Sequence, residues 1–332
     1  MSGSIVAVPK KKRFNISRHY RSLIAYGALI LLIIIYRSFS KVVFQPAMIN
    51  SVINQGMPLV ITSIAQTIIM ITGGIDLSIG PIVTLTNCVA ATQMQPGFLP
   101  TLAVCIGTLF VGAACGAFNG VLVAYGRLAP IIVTLATAAV YNGLALYVLP
   151  TPGGSVPAWY SHALTGSVVS GIPNSLVILL LVIVAVWWPL KSSRLGQWIY
   201  AVGSNEDSAR MAGVNTTRTK LAAYTIAGAL CALAGLFLAA QTQTGDATQG
   251  GSYTLNSIAA AVIGGTAFTG GVGGIAGSIA GAYVFAIIPN VLFAARVSPF
   301  MKEFLQGAVL VVTITLSSVP ILRVKNKLQI LR

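Results

Sequence analysis

The residue best placed to do chemistry in this chain is Asp76, because it is so isolated: between Lys41 and Lys191 the only other charged side chain is Arg127. An ionisable group set in apolar sequence is costly unless it is paired, capped or wet, so a functional role is the default suspicion. A structural reading competes with it. Gly73 and Gly74 break the preceding apolar run, which leaves Asp76 placed to N-cap a new helix starting at Leu77. Capping is the favoured reading over direct contact with a solute, and the two roles are compatible.

The second constellation lies in residues 203–214 (GSNEDSARMAGV). Ser204 reads as an N-cap, Glu206 and Asp207 occupy a first turn where the helix dipole favours anions, and Gly213 supplies the stop. With Gly203, Asn205, Ala209 and Arg210, these residues describe a self-capped helix of about two turns. Glu206 and Asp207 are two of only five acidic residues in the chain. The bland reading is an interfacial loop helix. The sharper one is a docking element for a cytoplasmic partner, since the charges exceed what a lipid anchor needs.

Other chemistries lack their residues. There is no GxxxxGK followed by Ser or Thr, so no P-loop for ATP, and no HExxH or GxSxG. His19 and His162 lie far apart in extramembrane segments, leaving no catalytic constellation. Cys88, Cys105, Cys115 and Cys231 sit in apolar runs without a CxxC pair; they read as buried side chains rather than a metal site or disulfides.

The elements that position these residues must be transmembrane. Of 332 residues 56% are hydrophobic and 8% charged, against roughly a quarter charged in a soluble domain. The expected fold is an all-α integral membrane protein. About ten apolar spans are expected, at 22–40, 48–71, 78–95, 99–124, 129–149, 173–190, 221–240, 254–270, 272–293 and 303–320. The basic start and the apolar run 23–35 have the look of a signal peptide, but no small-residue cleavage site follows, so this is read as a retained first span.

The net charge of +15 does not point to nucleic acid, because sixteen of the twenty basic residues fall in segments that ten spans place on one side. Such a bias puts both termini in the cytoplasm, beside anionic lipid. The organisation expected is a basic N-terminal segment 1–21, a transmembrane domain 22–320 and a basic tail 321–332. Within the domain, loop 150–172 faces outward and the charged loop 191–220 inward.

Each half also contains a glycine-broken apolar run, at 72–80 (TGGIDLSIG) and 263–274 (IGGTAFTGGVGG). Interrupted spans at matching places point to an inverted repeat with a pathway between the halves, although these two segments barely align. The pathway candidates are Gly73, Gly74, Asp76, Ser78, Gly264 and Gly265. Glycines spaced by four, at 112, 116 and 120 and at 273, 277 and 281, read as helix-packing stripes.

Four of these stretches carry a resemblance. TGGIDLSIGPIVTLTNCVAA (72–91), FNGVLVAYGRLAPIIVTLATAAVYNGLAL (118–146), LGQWIYAVGSNEDSARMAGVNTTRTK (195–220) and AAVIGGTAFTGGVGGIAGSIAGA (260–282) resemble, in order, the ribose, xylose and galactose ABC permeases. The similarity runs from about residue 50 to 318. The resemblance implies a type II ABC importer-like fold with broken or re-entrant segments, in the bacterial inner membrane. It implies a homodimer or a pairing with a sister permease. It also implies a separate cytoplasmic ATPase that holds ATP and Mg, a periplasmic sugar-binding protein, and a coupling segment carried over onto Gly203 through Gly213. One departure is the prolines of 150–159 (PTPGGSVPAW), where that family has a less constrained stretch.

Two readings compete. A proton- or sodium-driven transporter would use intramembrane acids or histidines as relays, and Asp76 has no basic partner at comparable depth. The nucleoside or amino-acid branch of the same superfamily is nearer; the GGIDLSIG form favours sugars.

Overall fold

A computed structural model describes residues 16–169, 172–298 and 300–311, apart from 299, 302, 303, 309 and 310. The described chain is helical except for a short antiparallel pair, β1 (Ser167–Val169) and β2 (Ile172–Pro173). In order the helices are α1 (Ile16–Phe39), α2 (Pro46–Ile71), α3 (Ile79–Gln93), α4 (Phe98–Ala124), α5 (Pro130–Val148) and α6 (Ala158–Thr165). After the strands come α7 (Asn174–Val182), a π-helical turn (Ile183–Trp187), α8 (Trp188–Ser192), α9 (Arg194–Ser204) and α10 (Glu206–Met211). The last three are α11 (Thr216–Thr242), α12 (Gly251–Ile263) and α13 (Ile275–Ala294).

Among the described residues six segments are long and apolar enough to cross a membrane: α2, α4, α5, the α7–α8 run, α11 and α13. Three of the other expected spans come out shorter than expected, the 22–40 run as the apolar stretch Leu23–Phe39 of α1. The 78–95 run yields α3 with 15 residues and the 254–270 run yields α12 with 13. At 1.5 Å per residue these reach about 20 Å, short of a ~30 Å hydrocarbon core. Glycine is the cause, since α3 begins only after the break at 72–78 and α12 stops at Gly264, ahead of the break at 264–274. The expected span 303–320 falls largely outside the described residues. In the α7–α8 run, Pro189 lacks the N–H that would close the preceding turn, and the helix widens to π geometry over Ile183–Trp187.

Burial sorts the helices. α2 and α11 form the centre, with Ile61, Ile64, Ile68, Ile69, Tyr224 and Phe237 fully enclosed. α4 and α5 sit outside and turn large apolar side chains outward, as with Phe110 (71% exposed) and Tyr147 (86%). Such residues suit a lipid surround. The most extensive helix pairing is α4 with α11, and its cause is the first glycine stripe. A Cβ on Gly116 would strike the Tyr224 carbonyl, and one on Gly228 the Gly112 carbonyl, so the two backbones touch. The second stripe does the same for α12 and α13: Gly277 faces the Gly264 carbonyl and Gly281 that of Ala260. Gly273 lies before α13 begins, in the break.

Residues 153–165 of loop 150–172 pack against the bundle. Gly153 and Gly245 exchange backbone hydrogen bonds (3.0 and 2.8 Å), and the Ser161 hydroxyl on α6 donates to the Ala240 carbonyl (2.6 Å). At the other end, the basic segment 191–220 folds into α8, α9, α10 and the start of α11.

Candidate functional site

The first break is fixed by side chains. α2 ends with Thr72 at its C-cap, and Gly73 turns the chain with φ +84°, in the left-handed region that favours glycine. Asp76 is almost wholly buried, and its Oδ1 accepts from the Ser78 backbone N–H (2.7 Å) and the Ser78 hydroxyl (2.6 Å). This corrects the helix start: α3 begins at Ile79 with Ser78 in the N-cap position, not at Leu77. Asp76 closes a local turn two residues ahead of itself, a competing bond open to short acidic side chains. The Ser78 hydroxyl, spent on Asp76, gives the helix no side-chain cap.

The same knot reaches α4 and α5. Asn119 donates to the Ser78 hydroxyl (2.8 Å), Tyr141 donates to the Asn119 side-chain oxygen (3.2 Å), and the Leu77 N–H donates to the Thr134 hydroxyl (3.0 Å). From the far half of the chain, the Thr254 hydroxyl on α12 accepts from the Gly80 N–H (3.2 Å), satisfying one of the first-turn donors of α3. Asn119, Thr134, Tyr141 and Thr254 were missed in the sequence. The visible signal was only that Asn119 and Thr134 are polar residues within apolar runs.

The second break is built from backbone. Gly265 (φ +92°), Gly270 (+82°), Gly271 (+69°) and Gly273 (+154°) all hold conformations that L side chains rarely adopt. Two backbone bonds close it internally, from the Ala267 N–H to the Val272 carbonyl (3.0 Å) and from the Gly270 N–H to the Ala267 carbonyl (3.2 Å). The Thr266 hydroxyl is buried without a partner among the described residues.

The two breaks touch each other and the end of α9. The Gly271 N–H donates to the Ile71 carbonyl at the end of α2 (2.9 Å). Gly203 fits against that pair so closely that a Cβ would strike the Ile71 carbonyl and stand 2.7 Å from the Gly271 nitrogen. A Cβ on Gly270 would lie 2.6 Å from the Gly203 carbonyl and 2.8 Å from the Gly73 nitrogen. One turn earlier on α9, the Tyr200 hydroxyl donates to the Gly273 carbonyl (2.8 Å). Gly73, Gly203 and Ser204 thus meet residues 270–271 at one junction. Gly264 and Gly265 lie further along the second break, and Asp76 and Ser78 point away toward α4 and α5.

The charged helix α10 follows directly. Here too a cap is corrected. Ser204 is the last residue of α9, and Asn205, in extended geometry, caps α10 by accepting from the Ser208 N–H (2.7 Å). Ser204 is held in α9 by the junction, where its backbone packs on Gly271. Glu206 and Asp207 do occupy the first turn, and Gly213 stops the helix with φ +84°. Glu206 binds Lys220 of α11 (2.6 Å) and Arg210 (3.6 Å). Partial burial pushes its carboxyl pKa up, but the Lys220 hydrogen bond and charge, Thr216 and Arg210 outweigh that and hold it below the usual glutamate range. Beside it a cavity of about 390 Å³ is lined by Arg127, Glu206, Arg210 and Lys220. Among the described residues no three His, Cys, Asp or Glu side chains gather as a metal site would need.

In comparisons with known proteins, a family described as the permease component of the branched-chain amino acid transport system matches residues 48–314. The ribose import permease protein RbsC of Bacillus subtilis is 33% identical over 309 residues, covering 92% of this chain and 96% of that protein. The D-allose transport system permease protein AlsC of Escherichia coli K12 is 30% identical over 311 residues, 92% of this chain and 94% of its own. The autoinducer 2 import system permease protein LsrC of Yersinia pseudotuberculosis is 34% identical over 256 residues, 76% of this chain and 72% of its own. No solved structure matches the chain. The matched span runs from the start of α2 past the end of α13, taking in both breaks, the junction and α10, and the chain belongs to this family of transport-system permease components.

Proposed function

We propose that this chain is the membrane-spanning permease subunit of an ATP-driven importer of a monosaccharide, with hydrolysis carried out by a separate ATPase chain. The observation that carries the reading is the junction: a charged, self-capped helix outside the apolar bundle leads, through Gly203 and Ser204, straight onto both helix breaks. A force applied to α10 therefore arrives where the spans are interrupted. The sugar assignment is supported by the relatives whose names specify ribose and allose.

In this proposal the basic end of the bundle faces the cytoplasm, following the positive-inside bias, and α10 (Glu206 to Met211) docks on the ATPase. The 150–172 cap faces outward, toward a binding protein that delivers the sugar. About ten spans complete the fold when segment 303–320 is counted, and the subunit works as a homodimer or beside a sister permease. Asp76 serves as a structural cap of the first break.

The test is reconstitution of the permease with its ATPase and binding protein in proteoliposomes. Uptake of labelled pentoses and hexoses should require ATP and the binding protein. Uptake that survives removal of the ATPase and collapses with the proton gradient would overturn the reading. Import of an amino acid or nucleoside in place of sugars would move the substrate to another branch of the superfamily and leave the ATP-driven mechanism standing.

A further inference from the structure

We infer that Gln66 of α2 is a solute-contacting residue, its side-chain amide hydrogen-bonding the hydroxyl groups of the transported solute as the seam between the two breaks opens. The inference rests on the monosaccharide-permease reading and assigns a residue to its pathway.

The middle of α2 is unusually polar for a fully enclosed helix, with Thr62, Ser63, Gln66 and Thr67 all buried. The hydroxyls look after themselves. Thr62 donates to the Pro58 carbonyl (2.9 Å), Ser63 to the Leu59 carbonyl (2.6 Å) and Thr67 to the Ser63 carbonyl (2.7 Å). Thr67 also meets the Ser278 hydroxyl of α13 (2.7 Å). Gln66 is the exception: it is 0% exposed, and both Nε2 and Oε1 are buried with no partner among the described residues. A primary amide offers two donors and an oxygen with two lone pairs. Buried unpaired groups are rare because each gives up its water without compensation. A leucine or methionine would fill the same place without that cost, so packing does not account for the amide.

Its location points to the pathway. Gln66 stands one turn before Met70 on the same face of α2. Met70 clusters with Ile75 and Leu77 of the first break, Phe268 of the second and Ile258 of α12. Two further buried, unpartnered groups flank the breaks. The Tyr224 hydroxyl would lie 2.8 Å from a Cβ on Gly74, and the Thr266 hydroxyl 2.8 Å from one on Gly273. α2, α3 and α12 carry no cationic side chain, and Asp76 is engaged by Ser78. The seam therefore suits a neutral polyhydroxyl solute, whose hydroxyls both donate and accept. To the carboxylate of an amino acid it offers hydrogen-bond donors but no cationic side chain to pair with.

The experiment compares Gln66→Leu with wild type in the full transporter, reconstituted with ATPase and binding protein, reading melting temperature, ATP hydrolysis and uptake of labelled ribose, allose and glucose. The expected result is a melting temperature equal to or above wild type, ATP hydrolysis preserved, and uptake reduced about tenfold or more, as loss of a solute hydrogen bond implies. Uptake within about twofold of wild type overturns the proposal. So does a lower melting temperature or poor accumulation, which would show the amide to be satisfied within the fold. Should the wild type import an amino acid and none of the sugars, the monosaccharide reading falls, and the same variant assayed on that amino acid still decides whether Gln66 touches the solute.

Discussion

The two helix breaks solve one problem in opposite ways. A span interrupted at membrane depth must satisfy the backbone groups it frees. The first break does so with side chains: Asp76, Ser78, Asn119, Thr134 and Tyr141 tie it to α4 and α5, and Thr254 closes it from α12. The second break spends glycines instead, with four positive-φ positions, two internal backbone bonds, and its links to α2 and α9 made largely through main chain. A side-chain knot fixes one geometry and fails when a partner is removed. A glycine hinge tolerates several geometries and fails when a side chain is added. The contrast predicts a fixed first break and an adjustable second one.

The largest expected effect follows from adding bulk on the second side. In Gly277→Leu the new Cβ would meet the Gly264 carbonyl, and α12 and α13 would have to separate. Overpacking of this kind costs about 1–3 kcal/mol or more, and here it falls on backbone that has nowhere to go. Membrane abundance of folded protein should drop steeply. Normal accumulation with an altered sugar preference would instead place the stripe on the pathway and break the comparison.

On the first side the test is removal. Asp76→Ala takes away the acceptor for both Ser78 donors and should cost about 0.5–2 kcal/mol, seen as poor accumulation. Asp76→Asn keeps an oxygen in the same place and should be abundant and active. Abundance and uptake of both variants decide it: a stable, abundant but transport-dead Asp76→Asn would make the charge functional and the capping role secondary.

How much of this was legible in the sequence differs between the breaks for the same reason. The glycines of both breaks announce themselves, because few other features explain GG pairs inside apolar runs, and spacing alone shows the α4 stripe and Gly277 and Gly281 of the second, whose third expected member, Gly273, lies in the break. The charged helix was readable from composition, but its cap was displaced by one residue. Ser204 and Asn205 are both strong caps, and only the contact of Ser204 with Gly271 decides between them. The junction itself was invisible. Residues 71, 203 and 271 are far apart in sequence, and a glycine's value there lies in which backbone approaches it. The partners of Asp76 were hidden likewise, since α4 and α5 supply them across distances that no local pattern encodes.

A further expected effect concerns α10, proposed above as the helix that docks on the ATPase. Reversing Glu206 and Asp207 to Lys should weaken ATPase association and abolish uptake with membrane insertion intact, and normal uptake would remove α10 from the mechanism. The Glu206 carboxyl is held below the usual glutamate range, about 4.3. A depressed carboxyl contributes stability above its unfolded value and loses it as pH falls through the folded one. The tie of α10 to Lys220 should therefore be fully present at neutral pH and weaken only on acidification below the ordinary glutamate range. A pH series of ATPase association measures this, and an association that weakened between pH 6 and 8 would point to a different group.

The smallest change addresses the asymmetry most directly. Tyr200→Phe removes one hydroxyl, the donor to the Gly273 carbonyl, and leaves the ring in place. A single hydrogen bond of this kind contributes about 0.5–1.5 kcal/mol, so the protein should fold and accumulate almost as wild type. What it loses is specific: α9 keeps its hold on the first break through Gly203 against the Ile71 carbonyl, but its side-chain hold on the second break is gone. If the second break is the adjustable one, ATP hydrolysis in the assembled transporter should continue while less solute moves per ATP. If both breaks move as one unit through the Gly271–Ile71 bond, the ratio should not change. Solute transported per ATP hydrolysed, measured on reconstituted Tyr200→Phe and wild type at equal abundance, distinguishes the two, and an unchanged ratio would mean that the junction acts as a single rigid block.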